Sequence, residues 1–156
     1  MKKPGIQPIW LLLGGAALMA VFWKREEIMA TVEGYVNGLP VRLDVVKIDA
    51  AGHQLRKDAA AAFMRMQSAA QAAGVTLVVN TAFRDMAFQE RLYALYQAGT
   101  GNLAAKPGTS NHQGGVAVDV ETAGGTNPAF VWLNNNAFRF GFKRTVASEP
   151  WHWEFA

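Results

Sequence analysis

The longest apolar stretch lies near the start of the chain, where the twenty residues of Pro4–Trp23 carry no charge. Its only strongly polar side chain is Gln7, and about twenty helical residues are enough to cross a bilayer core. Trp10 and Trp23 lie near the ends of its most apolar part, where indole rings favour the membrane interface. We therefore predict one N-terminal transmembrane helix, with residues 1–27 forming a membrane anchor and its flanks.

A cleaved signal peptide is the alternative interpretation of this segment, because its Leu11–Val21 core is short enough for one. The residues that follow, Val21–Lys24, are bulky and do not resemble a cleavage site between small side chains. Lysine and arginine residues flank the segment with a slight bias that favours the N-terminus inside and the domain outside. Both interpretations place the rest of the chain outside the cytoplasm.

Apolar residues recur at helical spacing in three places further along the chain. The first predicts an amphipathic helix over Gln54–Ala73, with Leu55, Ala59, Phe63, Met66, Ala70 and Ala73 on its apolar face. A second helix is predicted over Met86–Ala98, capped by Asp85, and a glycine follows each of these two helices. A third is predicted over Asn127–Phe138, where an Asn-Pro pair begins the helix.

Short β-branched, alternating or aromatic runs separate and follow these helices. They predict strands at Val75–Val79, Val116–Val120, Phe140–Val146 and Trp151–Phe155. Val41–Ile48 alternates only loosely and is either a strand or an extended entry into the domain, and Gly99–Gly115 is a loop. The order of elements predicts an α+β fold over residues 28–156, a small single domain with a central antiparallel sheet flanked by helices.

Charge and composition exclude several classes of function. The chain has a net charge of +3, but from Ile28 onward 11 lysine and arginine residues face 10 acidic ones. The folded part therefore lacks the basic face of a nucleic-acid-binding protein, and we expect no nucleic-acid partner. The absence of cysteine excludes disulfides, thiol catalysis and cysteine-ligated zinc. Any metal site must use histidine, aspartate and glutamate.

The few histidines suggest where such a site could lie. His112 stands in the glycine-rich loop, and Asp119 follows it seven residues later on a predicted strand. His152 on the last strand would complete a His-Asp-His set, which leaves zinc one open position for catalysis. Hydrolysis also needs a base, and both Glu149 and Glu154 flank His152. Strand alternation puts Glu154 on the same face as His152, but the spacing does not choose between the two.

Other residues of the same kinds are expected to have structural roles. His53 has no motif around it and is expected at the surface or near a helix cap. Trp151 and Trp153 alternate with His152, so we expect both to pack into the core behind the site.

Three stretches share their order and spacing with the motifs of one known family. They are Ala82-Phe83-Arg84-Asp85 followed by Gln89 and Leu92-Tyr93, then Ser110–Asp119, and then Glu149-Pro150-Trp151-His152. They resemble the Gly-Tyr-Arg-Ser, Ser-x-His-x6-Asp and Glu-x-Trp-His motifs of the VanY-type D-alanyl-D-alanine carboxypeptidases, zinc peptidoglycan peptidases of the LAS group. The resemblance covers residues 75–156, about half of the chain.

The resemblance implies a role for each of the matching polar residues. His112, Asp119 and His152 would hold one zinc ion, and Glu149 would be the general base. Arg84 would act in catalysis and contact the substrate, holding a carboxylate or a developing oxyanion.

The resemblance also implies that Gln89 and Ser110 line the substrate pocket. The first motif departs from the family pattern, since Ala82-Phe83 replaces Gly-Tyr and Asp85 replaces serine. These departures bear on substrate preference and leave the metal ligands unaffected.

The implied function is hydrolysis of peptidoglycan stem peptides, foremost as a D-alanyl-D-alanine carboxypeptidase. The domain would face the periplasmic or extracytoplasmic side of a bacterial plasma membrane. One alternative is a peptidoglycan endopeptidase, such as a signal-anchored endolysin of a phage or prophage. Another is a non-catalytic, zinc-containing module that binds the cell wall, although a structural zinc site would not need Glu149. We expect no organic cofactor, because no phosphate-binding glycine motif is present.

Overall fold

Two antiparallel sheets and three helices make up residues 29–156, the part of the chain that this computed structural model describes. In chain order the elements are β1 Met29–Val36, β2 Leu39–Lys47, β3 Gln54–Arg56, α1 Lys57–Ala72, β4 Val79–Thr81, α2 Met86–Gln97, β5 Ala117–Val120, α3 Pro128–Asn136, β6 Phe142–Lys143 and β7 His152–Phe155. One sheet has the order β1-β2-β3 and the other the order β4-β5-β7-β6. The predicted α+β class is confirmed, but two sheets replace the single central sheet that we expected.

The β1–β2 hairpin is the main element that the hydropathy pattern did not predict. Its strands pair from Met29 opposite Val46 to Val36 opposite Leu39, so only two residues form the turn. These are Asn37 and Gly38, with φ angles of 53° and 81°, and positive φ at both positions is typical of an Asn-Gly hairpin turn. The loosely alternating segment after the turn is therefore a strand.

Strand pairing also moves two predicted boundaries. Helix α1 begins at Lys57, because Gln54–Arg56 pair with β2 as strand β3 instead of forming the first helical turn. The β-branched run Val75–Val79 is not a strand over its length, and the chain joins the second sheet only at Val79–Thr81, where it meets β5. The hydropathy of these segments reflects burial, whereas the strand bounds depend on backbone pairing with another strand.

The core lies between helices α1 and α3 and one face of the four-stranded sheet. Phe63 of α1 is fully buried and meets Phe142 edge to face, with ring centroids 5.9 Å apart. From the sheet, Val118, Val120 and Trp153 belong to the same buried apolar cluster. Because side chains alternate along a strand, the residues between them point to the opposite face of the sheet.

The predicted membrane helix at Pro4–Trp23 lies outside the described residues and stays a prediction. Within residues 29–156, no helix combines the length and the apolar character that a membrane span requires.

Helix α3 begins with the predicted Asn-Pro pair. The side chain of Asn127 accepts a hydrogen bond from the backbone N–H of Phe130 at 2.9 Å, and Pro128 occupies the first helical position. The helix ends at Asn136 rather than Phe138, because the chain tightens into a 3-10 turn over Ala137–Phe140.

Replacing Asn127 with alanine should lower the free energy of unfolding by about 1 kcal/mol, because the Phe130 N–H loses its acceptor. Urea denaturation of the two proteins measures this difference. Asn135→Ala is the matched control, since Asn135 is exposed within the same helix and alanine is the better helix former. Equal destabilisation by both substitutions would show that the cap contributes nothing specific.

Candidate active site

The order of the second sheet brings the three predicted metal ligands together. Asp119 of β5 is the direct register partner of His152 of β7. His112 lies in the turn over residues 111–115, just before β5. All three side chains are buried, on the opposite face of the sheet from the apolar core.

Three donor atoms of these residues face one point. His112 Nε2 lies 3.2 Å from His152 Nδ1, and Asp119 Oδ1 lies 3.3 Å from the first and 3.0 Å from the second. A tetrahedral zinc ion with bonds of about 2.0–2.1 Å needs ligand atoms roughly 3.3 Å apart. The spacing of the three atoms therefore fits a single zinc ion.

Hydrogen bonds to the outer ring nitrogens fix the atoms that face inward. His112 Nδ1 lies 2.7 Å from the carbonyl oxygen of Ala82, which can only accept, so Nδ1 donates and Nε2 keeps its lone pair. His152 Nε2 lies 2.8 Å from a carboxylate oxygen of Glu154, so His152 Nδ1 keeps its lone pair by the same argument. Two imidazole lone pairs and one carboxylate form a donor set that suits zinc.

Burial and hydrogen bonding determine the ionisation of these groups. Burial lowers the pKa of His112, which favours the neutral ring. Burial alone would raise the pKa of Asp119, but the neighbouring rings of His112 and His152 and the charge of Arg84 hold it well below its usual range. Burial also opposes protonation of His152, but the nearby carboxylates of Asp119 and Glu154 raise its pKa overall.

A cleft of about 590 Å³ opens onto the three ligands, and Glu149 is part of its wall. The backbone N–H of His152 donates to the Glu149 carbonyl at 3.1 Å, so a tight turn holds the two residues close together. The Glu149 side chain is half-buried, and burial raises the pKa of its carboxyl group. The predicted base thus shares the cleft with the predicted ligands.

Arg84 lies beside the ligands, just before helix α2. Its Nη2 donates to Asp119 Oδ2 at 2.5 Å, and its backbone N–H donates to the His112 carbonyl at 3.2 Å. The side chain is only 14% exposed and contributes to the cleft wall, and burial lowers its pKa. A guanidinium group in this position can bind a carboxylate that enters the cleft.

The structure separates the two residues that were expected to line the substrate pocket. Ser110 is in the cleft wall, as predicted. Gln89 is not, because helix α2 turns it inward to a fully buried position, where its Nε2 donates to the Ala105 carbonyl at 2.8 Å. Gln89 therefore braces the loop that forms the cleft wall and does not contact the cleft itself.

The structure bears out some of the predicted structural roles of the tryptophans and His53 but not all of them. Trp153 is buried in the core, as predicted, whereas Trp151 is only half-buried and lines the cleft. The prediction for Trp151 was wrong because it precedes β7, where the strict alternation of a strand no longer applies. His53 is partly exposed and pairs with Asp49 at 2.6 Å in the β2–β3 turn, away from the cleft.

Sequence reasoning missed two features of the site. The first is an apolar part of the cleft wall, formed by Leu92, Leu95 and Leu103. The three-residue spacing of Leu92 and Leu95 was the signal in the sequence that could have indicated it. Gln113, the residue after His112, is fully buried, and its Oε1 accepts from the Gly108 N–H at 2.7 Å. No periodicity could have indicated this role, because Gln113 lies in a loop.

The family of the chain follows from residues 52–156, which match the sequence model of VanY, D-alanyl-D-alanine carboxypeptidase. The chain belongs to this family. The resemblance seen in the three motifs is therefore confirmed. The matched segment covers about two thirds of the chain and contains the positions of the predicted site residues.

Individual VanY-type relatives agree with this membership. The chain is 34% identical over 114 residues to a D-alanyl-D-alanine carboxypeptidase of Enterococcus faecalis (strain ATCC 700802 / V583), over 56% of this chain and 42% of that protein. It therefore spans less than half the length of that relative. Two solved structures are each 26% identical over 72% of this chain: VanYB in complex with D-alanine-D-alanine (TM-score 0.60, 77% of that chain) and a mutant D,D-pentapeptidase VanY in complex with Zn(II) (TM-score 0.59, 78% of that chain).

Proposed function

We propose that this VanY-family domain is a zinc-dependent D,D-carboxypeptidase that hydrolyses peptidoglycan stem peptides. The observation that carries the proposal is the convergence of the three donor atoms in the same cleft as Glu149 and Arg84. The VanY relatives bound to D-alanine-D-alanine and to Zn(II) support both the substrate class and the metal.

The chemistry divides between the metal and Glu149. His112, Asp119 and His152 would hold a zinc ion, which when bound supplies a Lewis acid that polarises the scissile carbonyl and acidifies a water molecule. The Glu149 carboxylate takes a proton from the attacking water and passes it to the leaving amine. Its raised pKa brings it closer to neutral pH, which suits a group that both accepts and donates a proton.

Arg84 supports exopeptidase action because of the charges around it. Among the cleft-lining residues of the described range 29–156 it is the only lysine or arginine, whereas Asp119, Glu149 and Glu154 contribute carboxylates. A single cation matches the single terminal carboxylate of a peptide that is cut at its C-terminus. An endopeptidase substrate would bring no such carboxylate next to the scissile bond.

The experiment uses a stem pentapeptide ending in D-Ala-D-Ala, the protein with one equivalent of zinc, and mass spectrometry of the products. We expect loss of one alanine, which a chelator abolishes and added zinc restores. The same peptide with a C-terminal amide is the matched control and should react poorly. Cleavage elsewhere in the stem would indicate the endopeptidase, and zinc binding without any product would indicate the wall-binding module.

We also propose that Pro4–Trp23 anchors this domain in the bacterial plasma membrane, with the catalytic cleft on the extracytoplasmic side. The uncharged length of the segment and its flanking tryptophans support the proposal. The protein should remain in the membrane fraction after alkaline extraction, and external protease should digest its domain. Recovery of a shortened protein in the soluble fraction would instead indicate a cleaved signal peptide.

A further inference from the structure

The tip of the β1–β2 hairpin contacts the loop that carries His112. The backbone N–H of Tyr35 donates to the Gln113 carbonyl at 3.0 Å, and that of Gly38 donates to the Gly108 carbonyl at 2.9 Å. One of these bonds reaches the loop before His112 and the other reaches it just after. The hairpin spans residues 29–47 and so precedes the segment that matches the family.

Glycines make this contact possible. Gly34 is buried between the Leu43 side chain of the hairpin and the loop. A Cβ atom there would overlap the end of the Leu43 side chain and would lie only 2.6 Å from the Gln113 carbonyl oxygen. Gly38 and Gly108 both have positive φ, of 81° and 87°, and a Cβ on Gly108 would lie 3.4 Å from the Gly38 Cα. The two backbones therefore approach each other without side chains between them.

The side chain of Gln113 holds the same loop from inside. It is fully buried, with Oε1 accepting from the Gly108 N–H at 2.7 Å and Nε2 donating to Met86 Sδ at 3.6 Å. Its backbone N–H donates to the Ser110 carbonyl at 2.9 Å. Loss of the side-chain amide would leave a buried N–H without its acceptor, which is costly where water cannot replace it.

Other hydrogen bonds hold His112 itself. Its carbonyl accepts from the N–H groups of Arg84 and Gly115, at 3.2 Å and 3.1 Å, and its ring donates to Ala82. The hairpin and Gln113 hold the loop just before and just after His112. The Arg56 N–H holds the end of the same loop, donating to the Gly115 carbonyl at 2.8 Å. A metal ligand must be held to within about 0.5 Å, so its loop has to be fixed both before and after the ligand.

We propose that the β1–β2 hairpin and Gln113 position His112 for zinc. The hairpin would then contribute to zinc affinity without contacting the metal. This inference rests on the proposed function, since it takes His112 as a zinc ligand. Gln113 and Gly34 are positioning residues, because they reach the metal only through the loop.

Two substitutions test the contact from its two sides. Gln113→Met keeps the length of the side chain but removes the acceptor. Gly34→Ala places a methyl group between the Leu43 side chain and the Gln113 carbonyl, which pushes the hairpin and the loop apart. We expect each to weaken zinc binding about tenfold, measured by competition with a chromophoric chelator. In the zinc-free protein, we also expect faster hydrogen exchange of the loop amides at residues 108–113.

Two controls separate positioning from a loss of overall stability. Phe63→Leu loosens the core and should lower Tm without changing zinc affinity, because Phe63 does not line the cleft. Thr31→Ala changes an exposed residue of the same hairpin, at the end away from the loop. This variant should change neither Tm nor zinc affinity.

Unchanged zinc affinity in both Gln113→Met and Gly34→Ala, with a fall in Tm like that of Phe63→Leu, would overturn the inference. If the unaltered protein binds no zinc, the proposed function fails. Hydrogen exchange of the loop amides then still tests whether the hairpin and Gln113 hold the loop in place. Exchange rates equal to those of the unaltered protein in both variants would then show that the hairpin does not hold the loop.

Discussion

Replacing Glu149 with glutamine should lower kcat on a stem pentapeptide by about 10²- to 10⁴-fold, the usual contribution of a general acid–base group. Glutamine has nearly the same shape, but its amide cannot take a proton from water and pass it on. Zinc stoichiometry should stay the same, because Glu149 is not one of the three residues whose donor atoms converge. Initial rates and metal analysis of the purified variant check both expectations.

Glu121→Gln is the matched control for this prediction. Glu121 is exposed and outside the cleft, and it accepts a hydrogen bond from the Ala123 N–H at 2.6 Å that an amide oxygen can also accept. Its kcat should therefore be unchanged. Full activity of Glu149→Gln would show that another group is the base, and loss of zinc together with activity would show that Glu149 is a ligand.

The candidate site could be predicted from the sequence because its chemistry is concentrated in a few residue types. Without cysteine, a metal site had to use histidine and carboxylates, and only three histidines were available. The order of the motifs then selected His112 and His152 over His53, and the structure places His53 away from the cleft. Spacing alone did not choose between Glu149 and Glu154, and it was the family motif that implied Glu149 as the base. The structure places Glu154 against the outer nitrogen of His152.

The fold was less predictable, because its sheets consist of short strands. Strand β3 has three residues and β6 has two, too few for an alternating pattern to be recognised. Their bounds depend on which strand they pair with, which hydropathy does not show. Gln54–Arg56, for example, fit the helical pattern but pair with β2. The β1–β2 hairpin did have a local signal in Asn37-Gly38, a pair that strongly favours a tight hairpin turn.

Gln89 shows a further limit of motif-based prediction. A motif identifies a position as part of a site but does not say whether its side chain faces the substrate or supports the wall. Gln89 faces inward and holds the Ala105 carbonyl. Gln113 lies within a matching motif and was not selected at all, although its buried Oε1 accepts from the Gly108 N–H in the loop that carries His112.

Replacing Asp119 with asparagine should remove zinc binding, with an affinity loss greater than the roughly 10- to 100-fold typical of residues that only support a ligand. Oδ1 of Asp119 faces the two histidine nitrogens that would bind zinc, and Oδ2 accepts a hydrogen bond from Arg84. An asparagine amide cannot serve both sides. If its oxygen faces Arg84, its NH₂ group points at the histidine lone pairs, and if its oxygen faces inward, its NH₂ group opposes the guanidinium.

Thermal unfolding with zinc and with chelator measures this prediction. With free zinc at about 100 times its Kd, the unaltered protein should gain about 2.7 kcal/mol of stability, and Asp119→Asn should gain none. Asp44→Asn is the control, because Asp44 is exposed on β2 and bonds only to Thr31 among the described side chains, at 2.8 Å. A cooperative transition of zinc-free Asp119→Asn would show that the variant folds. Zinc stabilisation of this variant equal to that of the unaltered protein would then exclude Asp119 as a ligand, since a folded site without the carboxylate would have kept the metal.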